Sequence, residues 1–103
     1  MHVIKKIKFV DAASRYPNYS AQIMDLYQVL NRLNFTSPDD MRKVYKSLDN
    51  FKYKDKFYVL DIAGNNIRLI AYISFSGQRF YAKHIVSHAE YDKLCKRYAK
   101  GEL

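Results

Sequence analysis

The sequence predicts an α+β domain in which N-terminal helices pack on one face of a small, mainly antiparallel, twisted sheet, with a further helix at the C-terminus. Apolar residues recur at helical spacing in the first third of the chain, and an alternating pattern begins near Phe57. The last segment opens with a sequence typical of a helix start. A chain of 103 residues suits one domain, which we place at residues 1–103.

The first segments predict an edge strand and two helices. His2–Ile4 fits a short edge strand, and the helix that follows should run from Lys5 until Pro17 ends it. Asn18 or Ser20 is expected to cap the second helix. The expected core residues of these two helices are Ile4, Ile7, Phe9, Val10, Ala12, Ala13 and Tyr16, then Ile23, Leu26, Tyr27, Leu30 and Leu33.

A third, shorter helix is expected to begin at Ser37. Ser37 is a good cap, Pro38 suits the first helical position, and acidic residues follow in the first turn. This helix should end near Leu48. Its inward side chains are expected to be Met41, Val44 and Tyr45.

Three antiparallel strands are expected over residues 57–62, 67–75 and 79–86, with turns at Gly64–Asn66 and Ser76–Gly77. A two-residue turn at Ser76–Gly77 places Tyr72 opposite Tyr81 and Ile70 opposite Lys83. Alternation then assigns the core face to Ile67, Leu69, Ala71, Ile73, Phe75, Phe80, Ala82 and Val86. The opposite, solvent-facing side should carry Arg68, Tyr72, Arg79, Tyr81 and Lys83.

His84 falls on the core side in this register, and we expect it to be partly buried and hydrogen-bonded. The final helix is expected after Ser87, because Ser87 and Glu90 have the spacing of a capping box. Its inward face should consist of Tyr91, Leu94, Cys95 and Tyr98.

The charge balance favours a polyanionic ligand. The net charge is +8 and the isoelectric point is about 9.6, which fits nucleic acid better than an acidic protein or a membrane surface. No apolar run approaches the roughly 18 residues of a membrane span. A single cysteine suits a reducing compartment, so a cytoplasmic location is expected. The sequence has no metal-ligand spacing or glycine-rich phosphate loop, so we expect no metal and no cofactor.

Several stretches of the chain form a recognisable pattern: Ser47–Tyr53, Tyr58–Leu60, Gly64–Asn65, Arg68 and Tyr81–Asp92, with Ala12–Pro17 in support. On these residues the chain resembles the HigB branch of the RelE superfamily of toxin ribonucleases. The resemblance covers nearly the whole chain, and its specific part lies between Asp49 and Asp92.

This resemblance implies an endoribonuclease that cleaves mRNA, usually on the ribosome. It also implies silencing by HigA, a helix-turn-helix antitoxin, so that DNA would be contacted only through the antitoxin complex.

Metal-free RNA cleavage needs acid–base groups and cations around the phosphate. The resemblance assigns Arg68 to the scissile phosphate, although Arg68 could instead form a structural pair with Asp61. His88 matches the family's histidine and is the expected acid–base group, unless it simply faces solvent. Tyr91 shares its helical face and could stack on a base, orient the phosphate or belong to the core. Lys83 is expected to be the second catalytic cation.

Five further residues are expected to bind the flanking RNA. Lys52 and Lys54 would hold phosphates unless they are only solvated, Arg79 would add charge at the rim, and Tyr72 and Tyr81 could stack on bases. The main alternative function is a basic RNA- or ribosome-binding domain without catalysis, in which the same face serves only as a stacking platform.

Overall fold

A computed structural model describes residues 1–103 as an α+β domain, as predicted. The sheet has the strand order β1-β5-β4-β3-β2, in which only the β1–β5 pair is parallel. Its strands are β1 (His2–Ile4), β2 (Asp49–Asn50), β3 (Phe57–Ile62), β4 (Ile67–Ser74) and β5 (Arg79–Ser87). The helices are α1 (Lys6–Arg15), α2 (Ser20–Arg32), α3 (Pro38–Arg42) and α4 (His88–Ala99), with a 3-10 turn at Pro17–Tyr19. None of these helices combines the length and the apolar character needed to cross a bilayer.

The main core lies between the sheet and helices α1 and α2. Phe9 of α1 and Ile23 and Leu30 of α2 are completely buried, together with Leu69 and Phe80 of the sheet. Burying such side chains contributes about 1.5–3 kcal/mol each. This interface therefore fixes both helices on one face of the sheet.

Three residues expected in the core are exposed. Ile7 and Val10 are 56% and 41% exposed, because α1 turns the face of Phe9 and Ala12 toward the sheet. The apolar residues of α1 cover more than one face, so their spacing alone could not choose the buried side. Val44 is also exposed, because α3 ends at Arg42 rather than near Leu48.

Only some of the predicted helix caps are present in the structure. Ser37 caps α3 as predicted, and its Oγ accepts a hydrogen bond from the Asp40 N–H at 3.1 Å. α2 begins directly after the 3-10 turn, with neither Asn18 nor Ser20 as its cap, so that prediction was wrong.

At α4 only half of the predicted capping box forms. Ser87 Oγ accepts from the Glu90 N–H at 3.4 Å, but the Glu90 carboxylate pairs with Arg15 instead of returning to Ser87. The Tyr16 hydroxyl accepts a hydrogen bond from the Ser87 N–H at 3.1 Å. Residues of α1 and its C-terminal end therefore fix the start of α4.

A β-bulge in β5 changes the predicted register. Tyr72 pairs with Tyr81 as expected, but Ile70 pairs with His84 and not with Lys83. The extra residue reverses the alternation beyond the bulge, so Ile85 joins the main core in place of Val86, whose predicted place on that face was wrong. His84 lies on the opposite face, and its predicted core-side position was wrong. It is partly buried and hydrogen-bonded, as expected.

α4 covers part of the second face of the sheet. A small apolar cluster beneath it contains Phe51, Val59, Ile70 and Tyr98. Tyr91, Leu94 and Cys95 pack against this cluster, so the predicted inward face of α4 is confirmed.

Candidate functional site

A cleft of about 640 Å³ lies between α4 and the β2–β3 edge of the sheet. Its sides come from β2, the loop after it, strands β3 and β4, and the first half of α4. The lining residues are Ser47, Asp49, Asn50, Phe51, Lys52, Tyr53, Val59, Asp61, Arg68, Tyr91, Asp92 and Cys95. We refer to this concavity as the α4 cleft.

Arg68 is held between two neighbours in the α4 cleft. Its Nε lies 3.0 Å from Asp61 Oδ1, and its guanidinium carbon lies 4.9 Å from the centre of the Tyr91 ring. The expected alternative, a structural pair with Asp61, is therefore present within the cleft itself. Nε is buried yet has no hydrogen-bond partner of good geometry. The contacts orient the guanidinium without saturating its donors.

Tyr91 joins the cleft to the apolar cluster below it. Its ring packs edge-on against Phe51 with the ring centres 6.4 Å apart. Burial, followed by a hydrogen bond with Cys95, raises the pKa of the Tyr91 phenol to about 12. A phenol is protonated at neutral pH even at its ordinary pKa, so Tyr91 can act as a hydrogen-bond donor.

His88 lies at the rim of the cleft, in the first turn of α4. Its side chain is 50% exposed, and its Nδ1 lies 3.4 Å from Asp92 Oδ2. The His88 and Tyr91 ring centres are 6.5 Å apart. His88 does not line the cleft directly, but Asp92 does, and this carboxylate can fix the orientation of the imidazole.

The two predicted lysines of the β2–β3 loop point to different places. Lys52 lines the α4 cleft, with its Nζ 5.1 Å from the Tyr53 ring centre. Lys54 Nζ instead lies 5.2 Å from the centre of the Phe57 ring and 5.9 Å from that of Tyr98. Lys54 lines a neighbouring cavity and not the cleft.

The remaining predicted residues lie outside the α4 cleft. The Tyr72 and Tyr81 rings pack at a tilt with their centres 5.6 Å apart, and Phe57 extends this row at 5.9 Å from Tyr72. Lys83 Nζ lies 5.8 Å from the Tyr81 ring centre, and Arg79 is exposed at the start of β5. Lys83 is therefore not beside Arg68, because the bulge displaces it from the predicted register.

Several lining residues had not been predicted, and three of them are acidic. Asp49, Asp61 and Asp92 outnumber the two cations of the cleft, Lys52 and Arg68. A signal for Asp92 was present in the sequence, because it follows His88 by four residues and so shares its helical face. Asp49 is brought in by β2, a strand of two residues that no periodicity could reveal.

Comparison with known proteins identifies one family. The family described as HigB toxin, RelE-like toxic component of a toxin-antitoxin system, matches residues 19–94. The chain is 48% identical to mRNA interferase HigB of Escherichia coli O6:H1 over 102 residues, covering 99% of each chain. It is 37% identical over 92 residues to mRNA interferase toxin HigB of Escherichia coli strain K12 and to mRNA interferase HigB of Shigella flexneri, covering 89% of this chain and 88% of each relative.

Proposed function

Since this chain belongs to the HigB family of RelE-like toxins, we propose that it is an mRNA interferase and cleaves RNA in the α4 cleft. The reaction we propose uses side chains alone. The 2′-oxygen attacks the adjacent phosphorus, the bond from phosphorus to the 5′-oxygen breaks, and the products carry a cyclic 2′,3′-phosphate and a 5′-hydroxyl.

The observation that carries this proposal is the position of Arg68. A guanidinium fixed by Asp61 and Tyr91 inside the cleft suits the binding of a phosphate whose charge grows in the transition state. Lys52 lines the same cleft and is the second cation that we assign to the phosphate. We do not assign Lys83 this role, because it lies outside the cleft.

Two residues of α4 supply the proton transfers in our proposal. His88 takes the proton of the 2′-hydroxyl, with Asp92 orienting its ring. Tyr91, whose phenol is protonated at neutral pH, donates to the leaving 5′-oxygen. His88 and Tyr91 lie one helical turn apart, so one helix presents both groups to the substrate.

The protein's partners follow from the family. A toxin of a toxin–antitoxin system has an antitoxin partner, and we propose a HigA-like helix-turn-helix protein for that role. We further propose that cleavage takes place on the translating ribosome, and therefore in the cytoplasm. Lys54, Arg79, Tyr72 and Tyr81 would then contact flanking RNA, as predicted from the sequence.

Translation of a reporter mRNA in a cell extract, followed by mapping of mRNA 5′ ends, tests the proposal. The purified protein should generate new 5′ ends at codon positions within the reading frame. Inhibited translation with intact mRNA would instead support the non-catalytic RNA-binding alternative. Repeating the assay on naked mRNA separates ribosome-dependent from ribosome-independent cleavage.

A further inference from the structure

A second groove lies on the opposite side of α4 from the cleft. It consists of two adjoining concavities of about 500 and 210 Å³, which share Arg15, His84 and Val86. α1 forms one wall, the bulged half of β5 forms the floor, and α4 forms the other wall. The lining residues are Lys8, Asp11, Ala12, Arg15, Lys83, His84, Ile85, Val86, Glu90, Lys93, Leu94 and Arg97. We call it the β5 groove.

The charge of the β5 groove contrasts with that of the α4 cleft. Five cations line the groove, from α1 (Lys8, Arg15), β5 (Lys83) and α4 (Lys93, Arg97), against two carboxylates. Arg15 is paired with Glu90, and Arg97 is paired with Glu102, which leaves Lys8, Lys83 and Lys93 without a carboxylate partner. The α4 cleft has more carboxylates than cations. Much of the attraction for a polyanion must therefore come from outside the cleft.

The pKa of His84, in the floor of the groove, reflects the surrounding positive charge. Its pKa is lowered first by burial and then by the positive charges of Lys8, Lys83 and Arg97. These three cations come from three separate elements, so their effects meet at one point in the groove. Its Nε2 is hydrogen-bonded to the Tyr98 hydroxyl at 2.8 Å, which fixes the ring between the walls.

From this geometry we infer that the β5 groove is a second binding site for the phosphodiester backbone of RNA, separate from the cleavage site. Its Lys and Arg side chains lie on both walls and on the floor, so a strand passing along the groove would have cations on either side. Such contacts hold RNA without reading its sequence. This inference concerns binding and does not require that the α4 cleft cleaves RNA.

The chemistry of the groove favours RNA over an amphipathic peptide helix. A peptide helix needs an apolar groove for its apolar face, but Val86 and Ile85 are already buried beneath the floor. The exposed groups of the groove are largely the ends of long cationic side chains. Phosphates bind such groups without any apolar contact.

The test measures binding to a single-stranded 2′-O-methyl RNA of about 20 nucleotides, which lacks the 2′-hydroxyl nucleophile and so separates binding from cleavage. The groove variant is Lys8→Ala/Lys93→Ala/Arg97→Ala. Its matched control is Arg32→Ala/Lys43→Ala/Lys46→Ala, which removes the same charge from exposed residues outside every cavity.

We expect the groove variant to lose at least about tenfold in affinity near 0.1 M salt, and its salt slope to fall by about two units. The control should stay within about threefold of the unmodified protein, because its charges are not in contact with the strand. Equal losses in the two variants, or no loss in the groove variant with either the oligonucleotide or purified ribosomes, would overturn the inference. If the triple variant fails to fold, Lys93→Ala alone should lower the slope by about 0.7 units, and an unchanged slope would count against the groove.

Two further measurements complete the test. The same variants are titrated with purified ribosomes. A loss of affinity for the oligonucleotide supports a site for single-stranded RNA. A loss of affinity for ribosomes supports a site for the backbone of ribosomal RNA. Binding of poly-L-glutamate is the comparison for an acidic protein. If the groove variant loses poly-L-glutamate binding and keeps RNA binding, the groove belongs to an acidic protein partner and the inference is wrong.

Discussion

Two histidines of this chain lie at opposite sides of the same helix and have different roles in our account. His88 is half exposed at the rim of the α4 cleft, beside Asp92. His84 is partly buried in the floor of the β5 groove and bonded to Tyr98. We expect chemistry to depend on His88 and stability to depend on His84.

His88→Gln should reduce RNA cleavage by at least about a hundredfold, because one positioned acid–base group contributes typically 10²–10⁴-fold. The Ser87 cap does not involve the imidazole, and the cations Arg68 and Lys52 are unchanged. Affinity for RNA or ribosomes should therefore stay within about a factor of three, or under about 1 kcal/mol. Single-turnover cleavage and a binding titration on the same preparation measure both quantities.

The control for this variant is His84→Gln, which should lower stability more than activity, because it removes the hydrogen bond to Tyr98. A thermal melt and the same cleavage assay compare the two proteins. If His88→Gln cleaves at nearly the unmodified rate while His84→Gln is folded and inactive, then His84 is the acid–base group.

His84 also predicts a pH dependence of stability. Burial and the neighbouring cations lower its pKa in the folded protein, so folding favours the neutral imidazole. Below about pH 6.5 this histidine binds a proton in the unfolded chain but remains neutral in the folded chain. Stability therefore falls as the pH drops below that value. The melting temperature should decrease between about pH 7.5 and about pH 5.5. His84→Gln should show a smaller decrease in melting temperature over this range. Equal decreases in the two proteins would show that His84 is not the source of the pH dependence.

At the scale of elements, α4 depends on the apolar cluster between it and the sheet. Phe51 is only 3% exposed, and its ring centre lies 5.1 Å from that of Tyr98 and 6.4 Å from that of Tyr91. The same cluster therefore holds α4 and supports one wall of the α4 cleft.

Phe51→Ala should lower the free energy of unfolding by about 3–5 kcal/mol, as expected for truncating a buried phenylalanine. Tyr53→Ala is the matched control, since Tyr53 lies in the same loop but is 36% exposed. We expect the control to cost less than about 1 kcal/mol. Urea unfolding of both variants measures the difference, and similar losses would mean that Phe51 does not anchor α4.

The limits of prediction from sequence also appear at this scale. The β4–β5 hairpin was predicted correctly as far as the Tyr72–Tyr81 pair, because turn residues and alternation both specified it. The bulge beyond it could not be predicted, since Ile85 and Val86 are both apolar and the pattern beyond His84 therefore fits either face of the sheet. That one residue decided the face of His84 and the position of Lys83.

The predicted site shows the same limits. Arg68, Tyr91 and Lys52 line one cleft. The strand that carries Arg68 and the helix that carries Tyr91 were both expected from local patterns, and Lys52 was expected to hold a phosphate. Among the acidic residues, Asp61 was expected only as a partner of Arg68. Asp49 was missed, because the two residues of β2 show no periodicity and their place in the cleft depends on tertiary packing. The exposed face of α1 was missed for a related reason, since its apolar residues fit more than one orientation of the helix.

For the whole molecule, the net charge of +8 is unevenly distributed. The α4 cleft has three carboxylates, whereas the β5 groove has five cations. We therefore expect binding and cleavage to be separable: changes in the β5 groove should weaken binding, and changes in the α4 cleft should mainly slow the reaction.

Expression of this chain alone should arrest bacterial growth, and co-expression of a HigA-like antitoxin should relieve the arrest. Growth curves with immunoblots of the soluble fraction test this expectation, with His88→Gln as the non-toxic control. Normal growth at verified expression of soluble, unmodified protein would argue against a toxin.

Single-turnover RNA cleavage by Arg68→Ala tests the central claim, that the α4 cleft is the cleavage site, most directly. The matched control is Arg32→Ala, which removes an exposed arginine that lines no cavity. With thermal melts showing that both variants are folded, Arg68→Ala should cleave at least about a hundredfold more slowly, because it removes the cation that stabilises the transition-state phosphate. Arg32→Ala should cleave at the unmodified rate. If folded Arg68→Ala also cleaves at that rate, the reaction takes place elsewhere on the protein.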